Sequence, residues 1–322
     1  MLMPGCAIHT GASCVQQYEF LRGDKALANH LKPLAVVVLS VAIALLLAWA
    51  VGGDSVHVFG VSSLYVFAML AFTVQWLAFI PAYRFQTEHY YDLTGSFTYI
   101  LVVAVAFFSA HTVDALDPRR LLVSVLVFIW AGRLGTFLFR RVKRAGKDGR
   151  FDAIKPHWPR FLVTWTLQGL WVFVTLLAVL VVLSTENPQP LGLIGIFGAL
   201  IWLAGFAIEV MADSQKSTFN SRPENQGKFV NIGLWRWSRH PNYFGEILLW
   251  VGVAVIAMPV LESWQWLAML SPVFVTLLLT RVSGVPLLEK RADEKWGSDP
   301  AYQRYKAATS ILIPLPPRAS HD

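Results

Sequence analysis

Long apolar runs, each closed by a cluster of polar or turn-forming residues, recur eight times along the chain, at 33–51, 61–81, 93–112, 121–139, 161–183, 191–211, 242–260 and 264–280. Each is near the ~20 residues a helix needs to cross ~30 Å of hydrocarbon. Apolar and polar positions do not alternate in steps of two within the runs, so they read as helices and not as strands of a membrane barrel. The pattern predicts an all-α polytopic transmembrane bundle of about eight spans. Residues 33–317 form the membrane-embedded domain, 1–32 an N-terminal tail and 318–322 a short C-terminal tail. No basic segment followed by a useful apolar stretch marks 1–32 as a signal peptide.

Composition sharpens this picture. Hydrophobic residues make up 55% of the chain and charged residues 15%, against roughly 25% charged in a soluble domain. That balance excludes intrinsic disorder and argues against a soluble globular protein. The charges are also unevenly placed. Of 27 Lys and Arg, 24 fall on one set of alternate connections, two on the other, and Arg133 lies inside the fourth span. By the positive-inside rule both termini and the connections 140–160 and 212–241 are expected in the cytoplasm. The net charge of +7 then reflects orientation and contact with anionic headgroups, with no nucleic-acid partner implied. Cys6 and Cys14 are the two cysteines, which leaves no basis for a disulfide framework.

Polar residues inside the runs gather in their cytoplasmic halves. Arg133 and Gln75 lie about 9 Å from that end of their spans and Gln168 about 11 Å. Asp92, Thr94, Ser96 and Tyr99 open the third span, and Glu209 and Glu246 sit within a turn of the surface. A guanidinium at that depth calls for a partner, and Glu209, Glu246 and Asp92 are the candidates. The alternative is that these groups snorkel or bond between helices. Taken together, Gln75, Arg133 and Gln168 suggest a substrate cavity open to the cytoplasm, walled by apolar groups and suited to a lipophilic substrate entering from the membrane.

The segment 209–246 carries the most chemistry. Glu209 and Asp213 are one helical turn apart, as are Asn242 and Glu246. Pro241 fits the first turn of a helix whose free N–H groups would face the cytoplasm. Arg236, Arg239 and His240 lie just before it, with Lys216 and Lys228 upstream. Guanidinium forks and backbone N–H groups match phosphate oxygens, while the carboxylates and carboxamide suit an amide or ribose. A dinucleotide needs both kinds of group. The competing reading is a basic loop on anionic lipid, anchored by Trp235 and Trp237. There is no Gly-x-Gly-x-x-Gly turn, no Walker loop, no Ser nucleophile pattern and no metal-ligand spacing, so no metal is expected.

At these residues the chain resembles a known family. The run Gly233-Leu-Trp-Arg-Trp-Ser-Arg-His-Pro-Asn-Tyr-Phe-Gly-Glu246 is similar to the signature of steroid 5-alpha-reductase-like integral membrane proteins, in the bacterial branch called DUF1295. The likeness extends over roughly residues 90–317. It takes in Asp92-Leu-Thr-Gly-Ser96, Arg133-Leu-Gly, Lys147-Asp148-Gly-Arg150-Phe151-Asp152, Gln168-Gly-Leu-Trp171, Asp213-Ser-Gln-Lys216, Ser283-Gly-Val-Pro-Leu-Leu-Glu289 and Tyr302-Gln-Arg-Tyr305. The resemblance implies an NADPH-dependent reductase of a carbon–carbon double bond in a steroid- or isoprenoid-like substrate. It implies cofactor contacts at Asp213, Asn242 and Glu246. With Lys216, Arg236, Arg239 and His240 of the anion-binding segment, and Glu209, Asn220 and Tyr243 beside them, these make up the expected cofactor site. Glu209 stands where the reductases have a carboxamide, and Asn220 where they have Arg. The segment 283–289 replaces a His- and Tyr-rich stretch. For the catalytic acid, Tyr91 with Asp92 is the leading pair, with Tyr99 and Glu88 as alternatives. Because Arg-His-Pro-x-Tyr also occurs in isoprenylcysteine carboxyl methyltransferases, an S-adenosylmethionine-dependent lipid methyltransferase is a second reading. A non-catalytic lipid-binding protein is a third.

Overall fold

The computed structural model describes residues 11–109 and 117–318. Cys6, His111, Asp114 and the extreme C-terminus lie outside them. Ten α-helices follow in order among the described residues: α1 (Gly11–Val51), α2 (Ser63–Arg84), α3 (Tyr91–Ser109), α4 (Pro118–Ala145), α5 (Trp158–Ser184), α6 (Gly192–Ser221), α7 (Pro241–Ala257), α8 (Leu270–Leu277), α9 (Val285–Trp296) and α10 (Pro300–Ala308). Two-residue strands β1 (His57–Val58) and β2 (Val61–Ser62) pair as a small hairpin between α1 and α2. Eight segments are long and apolar enough to cross a membrane. The chain is therefore an all-α polytopic bundle. Consecutive spans alternate in direction, which puts the basic connections together on one side.

Starts and stops follow local chemistry. Pro118 opens α4 behind Asp117, whose side chain accepts from Arg120 N at 2.8 Å. Gly146, at φ 79°, closes α4 in the left-handed conformation. The spanning elements outrun the predicted runs on the basic side: α6 continues to Ser221, so Asp213, Lys216 and Asn220 stand on a helix and not in a loop. Hydropathy ends where charge begins, but the helix continues because its last turns are held by neighbours. The eighth crossing is not one α-helix. A 3-10 stretch (Ser263–Met269) leads into α8, and a π turn (Leu278–Val282) ends it. Pro272 has no N–H to give the Ala268 carbonyl, so an α-helix begun at Ser263 could not run through unbroken.

α5 is the central helix. Its far half, from Val172 to Ser184, is buried throughout, and α1, α2, α3, α7 and α8 pack around it. The tightest pair is α6 with α7, where two glycines on each helix lie two turns apart. A methyl at Gly205 would come within 2.6 Å of the Gly245 carbonyl oxygen, and one at Gly252 within 2.6 Å of Trp202 N. The two backbones touch, as small residues allow inside a membrane.

On the sparsely charged side the two arginines are inside the protein. Arg119 donates to the carbonyl of Leu191 at 3.1 Å and to those of Pro190 and Ile256, tying α4 to the starting turn of α6 and the end of α7. Arg120 donates to Phe107 O at 2.8 Å and lies over the Phe107 ring. Neither is exposed, so the two basic residues on that side do not face the lipid headgroups.

Candidate functional site

The glycine contact of α6 and α7 sets the carboxylates side by side, because the Gly245 position abuts the backbone of Glu209. Arg133 reaches in from α4. It donates to Asp213 Oδ2 at 3.0 Å and to Glu209 Oε1, with its guanidinium over the rings of Phe137 and Phe206. Of the expected partners, Glu209 pairs with Arg133, whereas Asp92 pairs elsewhere. Asp213, one turn beyond Glu209, is the second. Glu246 has no ion pair within 4 Å among the described residues, yet Glu209 and Asp213 are near enough to repel it. Three carboxylates thus face one guanidinium, with Lys216 a turn away, its ammonium 4.6 Å from the Trp235 ring centroid.

One turn deeper the walls become aromatic. Tyr99 on α3 meets Trp130 of α4 edge-on at 5.1 Å and Trp250 of α7 at 6.1 Å, and the two indoles meet at 5.0 Å. Trp130 and Arg133 are one turn apart on α4, as are Trp250 and Glu246 on α7, so the aromatic layer floors the charged one. Trp250 Nε1 and Asn242 Oδ1 are buried without a hydrogen-bond partner, while the buried Tyr99 hydroxyl meets Thr175 Oγ1 and the Trp130 indole N–H meets Glu209. Unpartnered groups are rare singly, because each costs about 1–3 kcal/mol. Polar atoms converging inside the bundle from five helices, α3 to α7, with two of them unpaired, are the chemistry of a binding site.

The N-terminal end of α7 is less open than its sequence suggests. Glu289 of α9 lies across it: its Oε1 is 2.8 Å from His240 Nε2, its Oε2 3.0 Å from Arg239 Nη1, and Lys306 is 4.0 Å away. Burial pushes the His240 pKa down, and Glu289 works against that only in part. A neutral imidazole that gives its Nε2–H to Glu289 carries a lone pair on Nδ1, which is buried without a partner. Tyr243 stacks flat on the ring at 5.7 Å. Arg236 and Asn220 are exposed and outside this group. Residues 309–315 clasp the segment before α7, with Arg239 N donating to Ser310 O and Ser238 Oγ to Leu312 O.

The remaining predicted residues form two structural clusters. Tyr91 packs edge-on against Phe151 and Trp165, and its hydroxyl donates to Thr164 O at 3.0 Å. Asp92 faces Arg150 at 3.9 Å and Arg141 at 4.0 Å. Glu88 accepts from Lys155 at 2.7 Å and from Asp148 N at 3.0 Å. Burial alone would raise its pKa, but these two donors hold it below the usual range. Together these contacts pin the connection 146–157 to α3. Gln75 donates to Thr98 Oγ1 at 2.8 Å and Gln168 to Tyr91 O at 3.3 Å, each leaving its oxygen buried without a partner. Both bind to α3, with no contact to Arg133. Of the tyrosines weighed from sequence, Tyr91 gives its hydroxyl to a backbone carbonyl, whereas Tyr99 meets only the Thr175 side chain. Thr175, Trp130 and Trp250 around Tyr99 went unread as site residues, as did the place of Glu289 on Arg239 and His240, since only packing reveals these contacts.

A polytopic helical membrane protein with a buried polar site at one end of its bundle is the class these features define. The chain belongs to the family described as protein of unknown function (DUF1295), whose profile matches residues 78–309. It is similar to an uncharacterized protein of Schizosaccharomyces pombe (strain 972), 24% identical over 229 residues, which cover 61% of this chain and 63% of that protein. The chain thus spans less than two thirds of the length of the curated relative it matches. No solved structure matches.

Proposed function

We propose that the protein is a membrane-embedded, NADPH-dependent reductase of a carbon–carbon double bond conjugated to a carbonyl in a lipophilic, steroid- or isoprenoid-like substrate. In this reading it lies in a bacterial inner membrane with the basic side, and the mouth of the site, toward the cytoplasm. The observation that carries the reading is the convergence of buried polar groups around Arg133, Glu209, Asn242 and Tyr99, with Asn242 Oδ1 and Trp250 Nε1 left unpartnered. The likeness to steroid 5-alpha-reductase-like proteins at Asp213, Asn242 and Glu246 supports the choice of cofactor.

The donor set fits a dinucleotide at its inner end. Asn242 and Glu246 suit a carboxamide, Glu209 and Asp213 suit hydroxyl donors, and Lys216 supplies a cation. Bound NADPH would contribute the hydride. Arg133 fixes the two carboxylates of α6 so that they cannot swing into the substrate space. The Tyr99 hydroxyl meets only the Thr175 hydroxyl, which can yield its place to a carbonyl oxygen, so Tyr99 can donate to that oxygen and pass on its proton. The indoles of Trp130 and Trp250 on either side exclude water from that point. This assigns the acid to Tyr99 and leaves Tyr91 and Asp92 a structural role.

The test is isotope transfer. The protein in nanodiscs is given a lipid extract and NADPH deuterated at the reactive C4 position, and the lipids are analysed by mass spectrometry. The expected result is one deuterium in one lipid species, lost in Tyr99→Phe while NADPH binding stays within about twofold. NADPH consumption and labelling equal in wild type, Tyr99→Phe and protein-free discs would overturn it.

A further inference from the structure

Glu289 makes the contacts an anionic ligand would make. Its two carboxylate oxygens are shared between His240 Nε2 at 2.8 Å and Arg239 Nη1 at 3.0 Å, with Lys306 behind at 4.0 Å. Arg239 and His240 are largely buried, and Glu289 has only a sixth of its side chain exposed. The pairing is imperfect: Arg239 Nε and Nη1 lack a hydrogen bond of good geometry, and His240 Nδ1 has none. A carboxylate has one plane of two oxygens, whereas a phosphate offers three around a tetrahedron and can serve forked donors more fully.

The way Glu289 arrives is also specific. The π turn at Leu278–Val282 and the bend at Gly284 swing α9 back over the start of α7. A methyl at Gly284 would fall 2.4 Å from Leu279 O and 2.9 Å from the Tyr243 ring, so only glycine allows this close return. Glu289 sits in the second turn of α9, on the side that meets Arg239 and His240. Its neighbours Lys290 and Arg291 are exposed.

We propose that Glu289 is a specificity-determining residue: its carboxylate occupies the anion seat at Arg239 and His240, and a phosphate-bearing ligand gains that seat only by displacing it. This rests on the dinucleotide reading of the site and deepens it. The device sets the affinity low and selects ligands whose phosphates outcompete an internal carboxylate. The carboxylate opposes a phosphate placed beside it, because like charges in contact repel.

The experiment titrates NADPH, and separately inorganic pyrophosphate, into wild type and Glu289→Gln in detergent, following heat release. Gln keeps the size and still accepts from His240. The expected result is a gain of about 10- to 100-fold in NADPH affinity and a parallel gain for pyrophosphate. Unchanged or weaker binding in Glu289→Gln, at an unaltered unfolding midpoint, overturns the proposal. If that variant misfolds, Glu289→Cys on a background with Cys6 and Cys14 replaced by Ser is alkylated with iodoacetamide or with iodoacetate. Tighter binding by the neutral adduct supports the proposal, and equal binding by both refutes it. Dinucleotide binding that is equal in all variants removes this inference and leaves the reductase reading standing. No dinucleotide binding in any variant, wild type included, removes both.

Discussion

Arg133 of α4 and Asp213 of α6 are joined at 3.0 Å, and the same guanidinium also holds Glu209 one turn deeper. One cation from a neighbouring helix thus fixes two carboxylates on α6 inside the bundle. Removing it leaves both charges buried and uncompensated, which typically costs about 3–5 kcal/mol. Arg133→Leu should therefore lower the thermal midpoint in detergent sharply. Arg133→Leu combined with Glu209→Gln and Asp213→Asn should recover most of the loss. A single variant that melts with wild type would show that Arg133 merely reaches for the surface.

The α6–α7 contact predicts a second stability effect. At Gly205 a side chain would meet the Gly245 carbonyl and Leu249 N, both backbone atoms that cannot step aside. Gly205→Ala should cost on the order of 1–3 kcal/mol from overpacking. Gly132→Ala, where an added methyl meets nothing within 4 Å, should leave the midpoint unchanged or slightly raised. Equal effects in chemical denaturation would contradict the close packing.

Glu88 gives the pH dependence. Its folded pKa lies below the ordinary value of 4.5 because Lys155 and Asp148 N–H outweigh the effect of burial. A carboxylate lowered on folding stabilises the protein fully above the unfolded pKa, and that contribution is lost as pH falls through the folded one. The thermal midpoint should drop more steeply below pH 4.5 in wild type than in Glu88→Gln. At neutral pH, Glu88→Gln should cost about 1–3 kcal/mol by removing the 2.7 Å ion pair and leaving the partly buried Lys155 only Asp152 at 3.7 Å. Parallel curves would show that the pair contributes nothing.

Orientation is checked by labelling. On a background without Cys6 and Cys14, Lys147→Cys should resist an impermeant maleimide in intact cells and react once the membrane is opened. The reason is that the basic connections share one side. Ready labelling from outside would reverse the topology.

Much of this was legible in the sequence, for identifiable reasons. The spans could be read because hydrocarbon thickness imposes one length on every apolar run. The pairing of Arg133 with Glu209 could be read because a buried charge needs an opposite one. Asp92 was a false partner: depth along the chain says nothing of which helix faces which, and the connection 146–157 brings Arg150 to it instead. Tyr91 and Tyr99 could not be separated, since both sit near the start of one helix. Only packing shows that one hydroxyl is given to the Thr164 carbonyl and that the other meets only the Thr175 side chain. Glu289 looked like a departure from a pattern until the bend at Gly284 brought it onto Arg239 and His240.

The central claim is that the buried polar cluster binds NADPH, and Asn242 tests it most directly. Its Oδ1 has no partner in the protein, so Asn242→Ala removes no hydrogen bond through that atom and should leave the unfolding midpoint within a degree or two. If Oδ1 serves the cofactor, the same change should weaken NADPH by about 1–3 kcal/mol, roughly 5- to 150-fold. Calorimetric titration of NADPH into wild type and Asn242→Ala in nanodiscs measures this. The account predicts saturable 1:1 binding in wild type and that loss in the variant. Absence of NADPH binding by the folded wild-type protein, or the same affinity in both, would contradict it.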